Sequence, residues 1–171
     1  PRVHVPGTDV AGRVEAVGKD VTRWGPGDEV FGWCKGAFAE YASVHEAALV
    51  PKPANLTFVK ASAIGTSACT AIQGLRDHGK VQAGQKVLII GASGGIGTFA
   101  VQIAKSLGAE VTGVCSTRNV DMVRSIGADH VIDYTQEEFT EAGPQYDLIF
   151  DNVGSRSMSD TRGALTPNGT L

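Results

Sequence analysis

Cysteine is scarce in this sequence: Cys34, Cys69 and Cys115 are far apart and odd in number, and no CxxC pair occurs. That excludes a disulfide framework and points to reduced core thiols, so a cytoplasmic protein is expected. Long apolar runs are missing too. None approaches the roughly 20 residues of a membrane span, and nothing at the start resembles a signal peptide. There is no excess of positive charge: the net charge is -3 and the Lys and Arg residues are scattered, which argues against a nucleic-acid partner. An initiator methionine is absent as well, and a chain that opens on Pro1 is expected to have sequence upstream.

What is present is ordinary for a globular chain of one or two domains: 171 residues, 42% hydrophobic and 19% charged, with 22 glycines. Up to about residue 55 the pattern is all-β. Val10, Gly12, Val14 and Ala16 alternate with Arg13 and Glu15, Trp24 to Asp28 is a turn cluster, and Glu29–Cys34, Phe38–Val44 and Ala48–Val50 read as short strands. From Phe58 the period changes. Phe58, Ala61, Gly65, Ala68, Ile72 and Leu75 recur at three- and four-residue steps, which predicts one helix ending near Gly79. Strands at 87–90, 111–115, 131–134 and 148–152, with helices at 96–107 and about 119–126, then predict parallel βαβ units. KSLGAEV (105–111) and RSIGADHV (124–131) repeat one grammar: a basic residue, then Gly108 or Gly127 closing a helix before a strand. Four strands are foreseen, with a fifth expected to begin where the chain stops at TPNGTL, so both ends read as truncated.

The stretch KVLIIGASGGIG (86–97) runs a strand into a glycine-rich turn and a helix, and four readings stay open. The first is a dinucleotide cradle in which Ala92, Ser93, Gly94, Gly95, Ile96 and Gly97 hold a pyrophosphate on backbone amides, Ala92 standing where the fingerprint has its first glycine. The second is a nucleophile elbow, since Gly91 to Gly95 satisfies GxSxG; it would make Ser93 a hydrolase nucleophile with His130 downstream and Asp121 or Asp129 as the acid. A third is the short-chain dehydrogenase turn GxxxGxG, for which no Tyr-x-x-x-Lys follows Tyr134 or Tyr146. The fourth is a turn whose small residues serve helix–sheet packing alone.

The next strand, VTGVCSTRN (111–119), ends in hydroxyls and a cation. An NAD-preferring fold places an acidic residue about 20 residues beyond its fingerprint to accept from the ribose hydroxyls. Here Ser116, Thr117 and Arg118 stand in that region, which suits the 2′-phosphate of NADPH, with Tyr134 placed to add its phenol. The alternative is that Ser116 caps the following helix and Arg118 is a solvated cation.

Taken in order, PGTDVAGRVEAVG (6–18), GPGDEVFG (25–32), FAEYASV (38–44), Thr70-Ala71, ASGGIG (92–97) and IFDNVG (149–154) resemble the medium-chain dehydrogenase/reductase superfamily, and within it the zinc-independent quinone oxidoreductase branch. The resemblance implies an α/β chain with a Rossmann-type doubly wound parallel sheet, preceded by part of a GroES-like β-barrel. It divides as residues 1–57, a bridging helix at 58–79, and a partial Rossmann domain at 80–171. It implies Thr70 beside a nicotinamide and Asn152, Val153 and Gly154 lining its ribose side. The implied function is an NADPH-dependent reductase of quinones or activated enone and enal double bonds, a homodimer when full length, whose catalytic residue is not identified here. A non-catalytic NADPH-binding regulatory protein stays open beside it.

Zinc members of the superfamily carry Gly-His-Glu where this chain has Gly7-Thr8-Asp9, and a cysteine where it has Thr66. Hydroxyls are poor zinc ligands. His4, His45 and His78 have no ligand spacing and read as surface or locally bonded. The purified protein is therefore expected to hold no stoichiometric zinc; elemental analysis finding about one tightly bound zinc per chain would reject this.

Overall fold

The computed structural model of the chain describes residues 5–140, 143 and 145–171; His4 lies outside them. It contains two compact units, Pro1–Cys69 and Thr70–Leu171.

The first unit carries a three-stranded antiparallel sheet of β1 (Asp9–Arg13), β2 (Glu29–Trp33) and β3 (Leu49–Pro51), with β2 central. The turn before β2 forms as its Gly-Pro-Gly sequence dictates. Gly27 has φ 97°, and the Asp28 carboxylate accepts the Gly25 amide at 2.8 Å. Glu29 accepts from Arg13 at 2.7 Å and from Lys52 at 3.0 Å. Lys52 is enclosed, and it also donates to the Leu56 carbonyl at 2.7 Å.

The strand expected over Phe38–Val44 does not form. The amides of Gly36 and Ala37 donate to the Gly7 carbonyl, and Phe38 to Pro6, so the chain coils back on residues 6 and 7 instead of joining a ladder. The single helix expected to Gly79 is in pieces. Thr57 caps α1 (Phe58–Ala61), α2 (Gly65–Ile72) follows, and a π-helical turn covers Gln73–His78. That last turn, within the second unit, has glycines at 74 and 79 because it lies close to residues 148–150 of the same unit. A Cβ on Gly74 would come within 2.2 Å of the Phe150 ring, and one on Gly79 within 2.3 Å of Leu148.

The second unit is a five-stranded parallel sheet in the order β6-β5-β4-β7-β8: β4 (Lys86–Ile90), β5 (Glu110–Cys115), β6 (His130–Asp133), β7 (Tyr146–Asp151) and β8 (Leu165–Thr170). The fifth strand lies where it was expected to begin, at TPNGTL, and it completes within the chain. Its register against β7 shifts between Tyr146 and Leu148, and it contains Pro167, which an edge strand tolerates. The remaining helices are α3 (Gly95–Ser106), α4 (Val120–Ser125) and α5 (Met158–Gly163).

Both faces of the sheet are covered, as parallel strands require. Val87 and Ile89 pack with Ala100, Val101 and Ala104 of α3 and Val123 of α4; Leu88 and Ile90 face the other way, among Val114, Phe139, Tyr146 and Ala164. Each fully buried aliphatic side chain contributes roughly 1.5–3 kcal/mol. The repeated closures behave as their grammar implies, with φ of 85° at Gly108 and 113° at Gly127.

The two repeats are also joined. Lys105 of the first reaches both carboxylate oxygens of Asp129 in the second at 2.8 Å, and the Val111 amide donates to Asp129 at 2.7 Å. Partial burial pushes this carboxyl up, but Lys105 and the Val111 amide together outweigh it and hold the group below the usual carboxylate range. A carboxyl depressed in the folded state stabilises above its unfolded pKa of about 4, and that contribution is lost as pH falls through the native value. Asp129→Ala is expected to cost about 1 kcal/mol at pH 7, the pair being a third exposed, and to cost less near pH 3, as read by urea denaturation at both pH values.

Candidate dinucleotide-binding site

The carboxyl ends of β4, β5, β6 and β7 converge at one edge of the sheet, where open α/β sheets take ligands. The chain leaves β4 through Gly91 at φ 79°. A side chain there would meet Val153 at 2.5 Å, so conformation and space both require glycine. Ala92 is fully buried and its amide donates to the Val114 carbonyl at 3.0 Å. Ala92 thus shapes the turn, and its amide is engaged within the sheet.

Gly94 donates to Gly91 and precedes α3 as its N-cap, without a capping side chain. The first-turn amides of α3, at Gly95, Ile96 and Gly97, have no intrahelical acceptor. Gly94 and Gly95 are exposed above them. A helix of twelve residues opening on bare amides with no side chain in front fits an anionic diphosphate.

Beside this turn, β5 ends at Ser116, Thr117 and Arg118. Ser116 caps no backbone amide, so the capping alternative is not what the structure contains. Instead Asn119 Nδ2 donates to Ser116 Oγ and to Ser93 Oγ, both at 3.2 Å, bridging the two loops. Arg118 is exposed and has no carboxylate partner among the described residues. Tyr134 is also exposed, and its amide holds it beside Cys115 by a 3.1 Å bond to that carbonyl.

Thr117, expected to donate to a phosphate, makes its bond within the protein in this structure. Its hydroxyl donates to Asp133 Oδ2 at 2.5 Å and lies 2.9 Å from the Thr135 hydroxyl. The Thr117 bond, then the Thr135 amide and hydroxyl, hold the Asp133 carboxyl below its ordinary range, so it is ionised at neutral pH.

At the end of β7, Asn152 Nδ2 points at the Gly91 carbonyl, 3.5 Å away. The amides of Val153 and Gly154 both donate to Asp151 Oδ1 at 2.9 Å, so these two residues line the edge by shape and carbonyls. Thr70 is exposed on α2. Asn119, Asp133 and Asp151 were not foreseen as site residues. Asn119 was legible as the start of a helix, which is how its type at a strand–helix junction reads.

The serine-hydrolase reading fails on geometry. Ser93 follows the end of β4, whereas His130 begins β6 and pairs with Glu110 at the start of β5, 3.2 Å away at the opposite edge of the sheet. In the first unit, Asp9 accepts the Thr66 amide at 2.5 Å and the Thr8 hydroxyl at 3.3 Å. Among the described residues, no three His, Cys, Asp or Glu side chains gather as a metal set. Among them also, no helix is long and apolar enough to cross a membrane.

Residues 95–171 match the family described as zinc-binding dehydrogenase, and residues 1–54 match the alcohol dehydrogenase GroES-like domain. The 2-methylene-furan-3-one reductase of Solanum lycopersicum is 35% identical across 99% of this chain and 49% of its own length. The chloroplastic NADPH-dependent alkenal/one oxidoreductase of Arabidopsis thaliana is 36% identical across 90% and 43%. Among solved structures, the quinone oxidoreductase from Coxiella burnetii superimposes with a TM-score of 0.90 at 32% identity, over 96% of this chain and 53% of that one. The chain belongs to the medium-chain dehydrogenase/reductase superfamily and is similar to its quinone oxidoreductases. It spans about half the length of the curated relatives it matches.

The tightest contact of the turn supplies its test. A Cβ on Gly97 would lie 2.0 Å from the Gly91 carbonyl oxygen and 2.8 Å from Ala92 Cα, both backbone atoms. On Gly94 the nearest atom would be 3.3 Å away. Gly97→Ala is expected to destabilise by about 1–3 kcal/mol and Gly94→Ala by well under 1 kcal/mol, compared by thermal denaturation. Equal losses would show that the α3 contact does not hold the turn.

Proposed function

We propose that the protein is an NADPH-dependent reductase of quinones or of activated enone and enal double bonds, and that it works without zinc. The observation that carries the cofactor choice is Arg118, exposed, without a carboxylate partner among the described residues and one loop away from the bare amides of α3, with Ser116 where an NAD-binding fold has a carboxylate. The printed names of the tomato, Arabidopsis and Coxiella proteins support the reaction class.

NADPH, when bound, supplies the hydride, and the protein supplies position and polarity. The amides at Gly95, Ile96 and Gly97 would hold the pyrophosphate, with Ser93 beside them. Arg118 and Ser116 would hold the 2′-phosphate, with Tyr134 able to add its phenol. Asn152, Val153 and Gly154 would line the ribose side, and Thr70 would serve the nicotinamide. Zinc has no fitting donor set at Thr8, Asp9 and Thr66: two are neutral hydroxyls, and the one carboxylate already accepts from both threonines.

The buried thiols Cys34 and Cys115 are pushed up by burial and suit a reducing compartment, for which we propose the cytosol. A homodimer belongs to the same proposal, with β8 an edge strand open to pairing.

One charge-assisted contact contributes roughly 1.5–3 kcal/mol. Arg118→Ala in the full chain is therefore expected to weaken NADPH by about 10- to 150-fold and to leave NADH within about twofold, by titration of the reduced nicotinamide's fluorescence. NADPH oxidation by a quinone or an enone should follow the same loss. Wild-type protein that binds NADPH and NADH equally would overturn the cofactor assignment.

A further inference from the structure

The direction of the hydrogen bonds at residues 116 and 117 deepens the NADPH reading on which it rests. An amide NH₂ only donates. Ser116 Oγ and Ser93 Oγ therefore both accept from Asn119 Nδ2, at 3.2 Å each, and neither hydroxyl makes another side-chain bond among the described residues. Each keeps its own hydrogen for a further acceptor.

One residue along, the polarity is opposite. Thr117 gives its hydrogen to the ionised Asp133, at 2.5 Å, and Thr135 crowds the same oxygen at 2.9 Å. What Thr117 has left to offer a ligand is lone pairs. A phosphate dianion only accepts, whereas a ribose hydroxyl both donates and accepts. A loop that presents one donor and withdraws the next therefore discriminates by polarity as well as by charge.

We propose that Asn119 is a positioning residue for cofactor selectivity: it fixes Ser116 as the hydroxyl donor to the 2′-phosphate, while Asp133 removes Thr117 from that role. Asn119 touches no phosphate in this scheme; it acts through Ser116. Its second bond, to Ser93, affects ligands with and without the 2′-phosphate alike and cancels in their ratio.

The test uses 2′,5′-ADP and 5′-ADP as probes, because neither carries a nicotinamide and binding is read by calorimetry without turnover. Wild-type protein should prefer 2′,5′-ADP. Ser116→Ala is expected to lower that preference by about 10-fold or more, and Asn119→Ala by about 3- to 10-fold, with 5′-ADP changed less than about twofold. In the Ser116→Ala background, Asn119→Ala should remove nothing further. Thr117→Val should leave 2′,5′-ADP within about twofold.

A further loss in the double variant, or an equal loss of both probes in Asn119→Ala, overturns the assignment of Asn119. A tenfold loss in Thr117→Val overturns the polarity assignment, even where the Asn119 variants fail to fold. Wild-type protein without a preference for 2′,5′-ADP overturns the NADPH reading itself, whereas a wild-type preference that survives in Asn119→Ala and Ser116→Ala overturns only this inference.

Discussion

Everything at the ligand edge depends on how closely α3 approaches the end of β4. The Gly91 carbonyl occupies the space where a residue at 97 would carry its Cβ, and the Val153 methyl occupies the space above Gly91 itself. Two absent side chains thus let a helix, a turn and the end of β7 share one small volume. The bare amides of α3 reach the edge because of that contact. Ala92, buried beneath them with its amide tied to β5, fixes the height of the turn above the sheet.

Around this packed centre the polar groups are arranged by charge. The carboxylates near the edge are occupied: Asp133 accepts from Thr117 and Thr135, and Asp151 accepts from the amides of Val153 and Gly154. Arg118 is left outward without an ionic partner among the described residues. Two acids therefore act as internal turn-formers while a cation faces solvent.

Much of the second unit was legible because local chemistry and global fold agree there. The period of 86–134, the glycine-rich turn and the closures at Gly108 and Gly127 each name one structure. The fifth strand was legible only as the place where the sheet should continue, not in its extent or pairing. Leu165–Thr170 includes Pro167 and Gly169, is largely unburied, and is placed only by its pairing with β7, a non-local fact. The short α5 carried a signal that went unread, the Ser157–Asp160 cap, in which the Asp160 amide donates to the Ser157 hydroxyl and that hydroxyl donates to the Asp160 carboxylate. Phe38–Val44 misled in the opposite way. It is rich in apolar and aromatic residues, yet Gly36 at φ 77° turns the chain and leaves Phe38 and Tyr41 about three-quarters exposed. In the site, Arg118 and Ser116 could be found from residue type and spacing, whereas the bonds of Asn119 and Asp133 depend on which loops meet in space.

The Lys105–Asp129 pair joins positions 24 residues apart in the chain, one in each copy of the repeated closure. Its aliphatic stem also lies over Gly127, with Lys105 Cγ 3.3 Å from the place a Cβ would take there. One side chain thereby covers the second helix's exit while bonding the residue just before the next strand. The two βα units are thereby tied to each other at that end. Opening the pair frees the Val111 amide at the start of β5 and the Asp129 carboxylate just before β6 together, which couples the local opening of the two strands.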